Sequence, residues 1–447
     1  MRRNPLDQKI AALALPALGA LIAEPLFLLT DTAMVGHLGA QSLAALGLAG
    51  TILQTLVGLL IFLAYATTPF VARRLGAGDR AGALGAGVDG IWLAIVLGVV
   101  VSGLGVVTGP TIVSWFGASS PVSTAAGAYL AISWWGLPGM LIVLAATGVL
   151  RGLQDTVTPM VVAIVGFSAN AVLNAVFIYG LGLGLVGSAV GTVIAQWLMA
   201  VWLAAVVIAQ ARREGVSLGP GRAGVFRAAR LGGWLFLRTV SLRVAFVGAT
   251  VVATQMGTDE LAGWHVLFTL FTLIALALDS LAIASQALVG HQLGAHDTEG
   301  TRAVVSRTIT WGLWSGLALG AVLAALSPVI PLVVTSDAAV RAILIPSLLL
   351  LAVAMPLGGY VFVLDGVLMG AADGRYLAVT GVLNVVAVLP LFVLTLNAAS
   401  STNVDWLGLA ALQASIGFGY LGARAITLGL RVRTNRWMVV GVNNESS

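Results

Sequence analysis

A block of this chain recurs 218 residues further along without a gap, so whatever it folds into has to be built twice. Leu75-Gly76-Ala77-Gly78-Asp79 returns as Leu293-Gly294-Ala295-His296-Asp297, and 297 − 79 = 218. The same offset links Gly39, Leu43 and Ala44 to Gly257, Leu261 and Ala262. It also links Pro138 to Pro356, and Gly148-Val149-Leu150 with Asp155 to Gly366-Val367-Leu368 with Asp373. One register kept from Gly39 to Asp155 is a duplication, and residues that break it become candidates for function rather than scaffold.

Each copy is a membrane unit. Hydrophobic residues make up 59% of the 447 and charged residues only 9%, with a mean hydropathy of +1.03, which excludes a soluble domain. Apolar runs of about 20 residues, the length that crosses a hydrocarbon core, recur throughout. They predict about twelve helices, near 9–37, 43–72, 82–108, 122–150, 158–180, 184–210, 231–256, 262–291, 302–327, 342–369, 376–397 and 406–430. The first run extends past Leu29 without a small-residue cleavage site, so it reads as a spanning helix and not a signal peptide.

Arg2, Arg3, Lys9, Arg73, Arg74, Arg80, Arg151, Arg212, Arg213, Arg222, Arg227, Arg230, Arg302, Arg375, Arg431, Arg433 and Arg436 fall on one side of this assignment, with Arg341 nearly alone on the other. By the positive-inside rule both termini are cytoplasmic. Six spans per half is an even number, so the halves share topology and relate by an axis along the membrane normal, as in many secondary transporters. The expectation is an all-α integral membrane protein with two pseudo-symmetric six-helix lobes. They cover residues 1–210 and 231–430, with a cytoplasmic linker at 211–230 and a cytoplasmic tail at 431–447. Lys9 is the only lysine beside 22 − 1 = 21 arginines, a composition of high-GC bacterial genomes, so the cytoplasmic (inner) membrane of a bacterium is the expected location.

Several function classes drop out. With no cysteine there is no disulfide, thiolate metal site or thiol nucleophile. The four histidines form no metal site, since His291 and His296 stand five apart, off a common helical face. No serine, histidine and acid share a catalytic context, and no glycine cluster follows a strand or precedes a Lys-Ser pair. An enzyme, a cofactor and a resident metal are therefore not expected. The pI of about 10.1 reflects arginines in short loops, not a basic face interleaved with aromatics, so nucleic acid is not an expected partner either.

An ionisable group inside hydrocarbon is costly, so each one is a functional candidate by default. Glu24, Asp31, Asp89, Asp279 and Asp365 fall within or at the ends of predicted spans. Asp31 faces Ala249 across the offset, Asp279 faces Ile61 and Asp365 faces Thr147, so the shared scaffold requires none of these three. Asp79 with Asp297 and Asp155 with Asp373 are symmetric loop acids that read as helix caps or turn formers. Glu24 and Asp31 are seven residues apart, two turns less about 20°, which sets both on one helical stripe. Asn170 and Asn174, one turn apart on the fifth helix, are in position to hydrogen-bond such a carboxylate. In the second half Arg238, Asp279 and Asp365 fall at comparable depth and suggest an ion pair, with Arg243 and Arg424 as competing partners. Asp89 and Arg307 read as reaching the cytoplasmic surface. Pro138 and Pro356 read as matched kinks.

At the end of the first helix the sequence becomes specific. Ala23-Glu24-Pro25-Leu26-Phe27-Leu28-Leu29-Thr30-Asp31-Thr32-Ala33-Met34-Val35-Gly36-His37-Leu38-Gly39 resembles the MATE (multidrug and toxic compound extrusion) family, nearest its DinF-like branch. Leu173-Asn174 with Phe177-Ile178-Tyr179-Gly180, Leu278-Asp279-Ser280 and Leu364-Asp365-Gly366-Val367 extend the likeness over both halves. The resemblance implies ion-driven export by alternating access, with Asp31 as the coupling carboxylate and Asn174 as its fifth-helix asparagine. Several relatives carry a second acid one turn further on, where this chain has Ile178. That departure disfavours a sodium site of several oxygens and favours protons.

The resulting expectation is a monomeric proton-coupled antiporter that exports amphipathic or cationic compounds through a cavity between lipid-embedded lobes. Asp31, Glu24 and Asn174 would couple the ion, while Asp279, Asp365, Arg238 and Asn170 would form a substrate or second-lobe polar site. A sodium-coupled exporter and a lipid or lipid-linked sugar flippase are the alternatives.

Overall fold

The computed structural model describes residues 4–401 and 406–441. Arg2, Arg3 and residues 442–447 of the expected tail lie outside the described residues. All regular structure among the described residues is helical. Eleven helices there are long and apolar enough to cross a membrane: α1 Pro5–Gly36, α2 Ala40–Gly76, α3 Arg80–Ser114, α4 Ser120–Gly152, α5 Val157–Gly180, α6 Gly184–Arg213, α7 Arg222–Met256, α8 Thr258–Gly294, α9 Thr298–Leu326, α10 Ala338–Gly370 and α11 Gly374–Ala399. A twelfth, α12, runs as Leu407–Ala414, a wide π turn at Ser415–Tyr420, and Leu421–Arg433. The chain is a multi-pass membrane protein.

The clearest departure from the apolar reading is α7, which begins at Arg222 and not near 231. Arg222, Arg227 and Arg230 interrupt the apolar run, yet arginine is a good helix former. The helix therefore extends past the apolar segment, and only residues 214–221 of the expected linker are non-helical.

The duplication extends to the backbone. Two left-handed positions recur at the offset: Gly78 (φ 78°) with His296 (φ 60°), and Gln154 (φ 63°) with Ala372 (φ 58°). The side chains of Asp79 and Asp297 each accept an N–H at 2.7 Å, from Gly82 and Gly300, and so cap α3 and α9 alike. The second acid pair diverges. Asp155 takes the Thr158 N–H at 2.9 Å, while Asp373 holds Arg431 at 2.7 Å.

The proline mates behave differently from matched kinks. Pro138 follows a 3₁₀ turn at Trp134–Gly136, whereas Pro356 sits within the continuous α10. What they share is a close neighbour. A Cβ on Gly98 would stand 2.6 Å from Pro138 Cα, and one on Gly316 would stand 2.8 Å from Pro356 Cα. Glycine at both places lets one backbone lie against the next.

The chain divides into two compact units, residues 15–232 with 441–447 and residues 1–14 with 233–440. The breaks themselves keep the offset, since 232 − 14 = 218. In the second unit Trp264, Phe392 and Tyr420 are buried in one apolar core, with Phe246 packed against it.

Candidate functional site

Between Lys9 and the end of α1 the only charged residues are Glu24 and Asp31. Asp31 is 4% exposed. Its Oδ1 accepts two hydrogen bonds, from Asn174 Nδ2 on α5 at 2.7 Å and from Ser188 Oγ on α6 at 2.7 Å. Asn174 and Ser188 are both fully buried. Hydrogen bonds to a charged group are each worth about 1.5–3 kcal/mol, so among the described residues neutral donors, and no counter-charge, hold this acid.

The approach of α5 to α6 follows from a Gly-x-x-x-Gly pattern, Gly187 to Gly191, that brackets Ser188. A Cβ on Gly187 would lie 2.7 Å from the Phe177 carbonyl carbon, and one on Gly191 would fall on the Asn174 amide oxygen. Just past Asn174, α5 widens into a π turn at Val176–Gly180, a distortion frequent at functional sites. Tyr179 of that turn donates to the Met34 carbonyl at 2.6 Å and pins the end of α1. Lower on the same helices Phe27 and Phe167 stack with ring centroids 5.1 Å apart. The buried Tyr129 of α4 stands beside Ser188 and Thr192, in the field of Asp31. Helices α1, α4, α5 and α6 thus converge on one carboxylate.

Asn170, one turn before Asn174, is buried as well. The Asn170 and Asn174 amide oxygens have no hydrogen-bond partner among the described residues. Glu24 is exposed, so the shared stripe does not give the two acids the same surroundings. An acid at that level keeps its charge only where water reaches it.

In the second half Asp365 is 3% exposed on α10. Its Oδ1 accepts from Arg238 Nε of α7 at 3.4 Å and from Arg424 Nη2 of α12 at 3.1 Å, and Arg238 Nη2 pairs with Oδ2. The structure therefore joins Arg238 to Asp365 and recruits Arg424, while Arg243 is exposed and Asp279 half-buried on α8. A carboxylate already gripped by two guanidiniums is poorly placed to receive a cationic ligand. At the cytoplasmic ends expected for them, Arg307 chelates Asp7 at 2.6 and 2.7 Å, and Asp89 accepts the Gly221 N–H at 2.7 Å.

Sequence reasoning passed over Ser188 and Tyr129. A serine in an apolar helix carries little signal alone, but the glycine pair around Ser188 marked the place where two helices meet.

A family model for MatE matches residues 16–176 and 237–394. Protein DETOXIFICATION 44, chloroplastic, of Arabidopsis thaliana is 31% identical over 438 residues, which cover 94% of this chain and 83% of that protein. DNA damage-inducible protein F of Escherichia coli is 31% identical over 296 residues, covering 65% of this chain and 64% of that protein. A crystal structure of MATE in the bent conformation superposes with a TM-score of 0.87 at 23% identity, covering 96% of each chain.

Proposed function

The chain belongs to the MatE family of multidrug efflux transporters, and from that premise we propose that it is a proton-coupled antiporter exporting amphipathic, often cationic, organic compounds by alternating access. The observation that carries this reading is the buried Asp31, bonded through one oxygen to Asn174 and Ser188. With both donors on Oδ1, Oδ2 is the oxygen that takes a proton without breaking either bond. Protonation removes a buried charge, and release requires water to reach the site, which ties the proton to the conformational cycle. Glu24, exposed two turns earlier, relays the proton to water, and Asn174 tunes the acid. Asp365 serves stability and not cargo recognition, because Arg238 and Arg424 already hold it. The protein works as a monomer in a bacterial inner membrane with both termini cytoplasmic.

A sodium-coupled cycle is the second reading. It is favoured by the Asn170 and Asn174 amide oxygens, unpartnered among the described residues and neutral oxygens of the kind hard cations select. Dye counterflow in proteoliposomes separates the two. Under an imposed pH gradient the wild type exports dye, and Asp31→Asn loses at least about ten-fold in rate, the equivalent of about 1.4 kcal/mol. Proton-dependent export by Asp31→Asn at the wild-type rate removes Asp31 from coupling. Export driven by a sodium gradient alone replaces the proton reading with the sodium one.

A further inference from the structure

Positions that carry the ion chemistry in the first half are apolar in the second. Asp31, Asn174 and Asn170 have as mates at the offset Ala249, Phe392 and Val388. All three mates are buried in the apolar core of the unit of residues 1–14 and 233–440. A Cβ on Gly248 would stand 3.0 Å from the Phe392 ring. In place of a polar copy of the Asp31 site, the helices of this unit gather aromatic rings.

A cleft within the unit is lined by Phe246 of α7, by Trp264, Phe268 and Phe271 of α8, and by Gln413 of α12. Between ring centroids Phe246 stands 5.3 Å from Phe268 and 5.4 Å from Phe271, and Trp264 stands 6.3 Å from Phe268. The Trp264 indole N–H is already given to Thr250 at 3.0 Å. None of the lining residues is ionisable. The shared scaffold requires none of these five, since the mates of Phe246, Trp264, Phe268, Phe271 and Gln413 are Leu28, Leu46, Gly50, Leu53 and Ala195.

Two buried polar groups border the rings. Gln413 is 3% exposed, and Gly417 one turn later leaves it room, since a Cβ there would lie 3.4 Å from the Gln413 Nε2. Tyr420 meets Phe246 edge-on at 6.3 Å, and its buried hydroxyl has no hydrogen-bond partner among the described residues. An unsatisfied buried hydroxyl costs about 1–3 kcal/mol. Gln413 precedes and Tyr420 ends the π turn Ser415–Tyr420, whereas the mates 197–202 lie in the regular helix α6. The cleft encloses about 10 Å³, the space of one water. A flat ring touching a phenyl on each face needs about 7 Å between the two, so Phe246 has to swing by about 2 Å from its α8 neighbours. Phe246, Phe268 and Phe271 are only half-buried, which leaves them free to do so.

We propose that this cleft is a cargo site that takes an aromatic ring of the exported compound between Phe246 and the rings of α8, with the Gln413 amide bonding the polar edge of that ring. Stacked and edge-on aromatic contacts supply the attraction, and the quadrupoles of several faces favour a ring that carries positive charge. That the ligand is cargo rests on the efflux reading. Binding itself does not, and it is independent of which ion drives export.

The test measures binding to the full-length protein in maltoside micelles with three cations: ethidium, aromatic with amino groups on its edge; tetraphenylphosphonium, aromatic without a hydrogen-bonding group; and tetrabutylphosphonium, aliphatic. The wild type is expected to bind the two aromatic cations at least five-fold more tightly than the aliphatic one. Phe271→Leu introduces the residue type found at its mate Leu53. It is expected to weaken both aromatic cations at least five-fold, the equivalent of about 1 kcal/mol, with tetrabutylphosphonium unchanged and with Phe271→Tyr restoring the wild-type affinities. Gln413→Leu is expected to weaken ethidium alone, and it carries the comparison where Phe271→Leu folds poorly. Phe116→Leu, an exposed ring of the other unit, is expected to bind as the wild type does. Ethidium binding that neither Phe271→Leu nor Gln413→Leu weakens, or equal affinity for tetrabutylphosphonium and tetraphenylphosphonium, overturns the proposal. The expected binding pattern without dye export in proteoliposomes would defeat the efflux reading and leave the aromatic site standing.

Discussion

Two buried aspartates in this chain are satisfied in opposite ways, and the difference predicts what each one does. Asp31 is held by an amide and a hydroxyl, so it can change charge without stranding another ion. Asp365 is held by Arg238 and Arg424, so losing its charge leaves two guanidiniums buried without their carboxylate. Removing one partner of a buried ion pair costs about 3–5 kcal/mol. Asp365→Asn is therefore expected to lower the thermal midpoint in detergent and the folded yield, whereas Asp31→Asn stays near wild type in both. Equal melting of the two variants would mean that the Asp365 cluster is not holding the fold. Ser188→Ala tests the other side of the contrast. It removes one of the two donors to Asp31 and is expected to slow proton-driven dye export by up to about ten-fold. Export at an unaltered rate would leave Ser188 outside the cycle. At this scale the sequence disclosed the acids well and their partners unevenly. Asp31 and Asp365 stood out because charge is expensive in hydrocarbon, and Asn174 because of its motif. Ser188 did not, since a hydroxyl in an apolar helix satisfies itself on its own backbone as readily as it serves a neighbour.

Helices and turns in the two halves follow one plan but not one chemistry. The left-handed position that ends α2 is Gly78, and its mate at the end of α8 is His296. A side chain there costs about 1–2 kcal/mol, partly offset because glycine loses more entropy on folding. His296 is exposed, and no packing is lost by trimming it. His296→Gly is thus expected to stabilise the protein by about 0.5–1 kcal/mol, seen as a rise in the detergent unfolding midpoint. A lower midpoint would show that the imidazole contributes more than the backbone strain costs. Helix existence was legible from apolar length alone, because a span must satisfy its backbone internally. Helix starts were less so. Arg222, Arg227 and Arg230 masked the first turns of α7, since hydropathy reports the membrane and not the helix. Pro138 and Pro356 were visible as mates, but their partners Gly98 and Gly316 lie on other helices, and contacts between helices leave no periodic trace in sequence.

For the molecule as a whole the duplication predicts the topology. An even number of spans per half sets equivalent loops on the same side of the membrane, whereas an odd number would invert them. Ala77 and Ala295 make this a sharp test. They are mates, 295 − 77 = 218, and both are exposed in the turns after α2 and α8. Ser119, exposed between α3 and α4, is expected on the opposite side. The chain has no native cysteine, so single introduced thiols report without background. In intact cells a membrane-impermeant maleimide is expected to label Ser119→Cys and to miss Ala77→Cys and Ala295→Cys, both of which become labelled once the membrane is opened. Labelling of Ala77→Cys and Ala295→Cys from opposite sides would make the halves inverted repeats, and the loop arginines would then no longer mark a single cytoplasmic face. Labelling of both from outside would keep the repeats parallel but reverse the whole bundle. Asp31 would then lie in the half of the membrane nearer the cytoplasm.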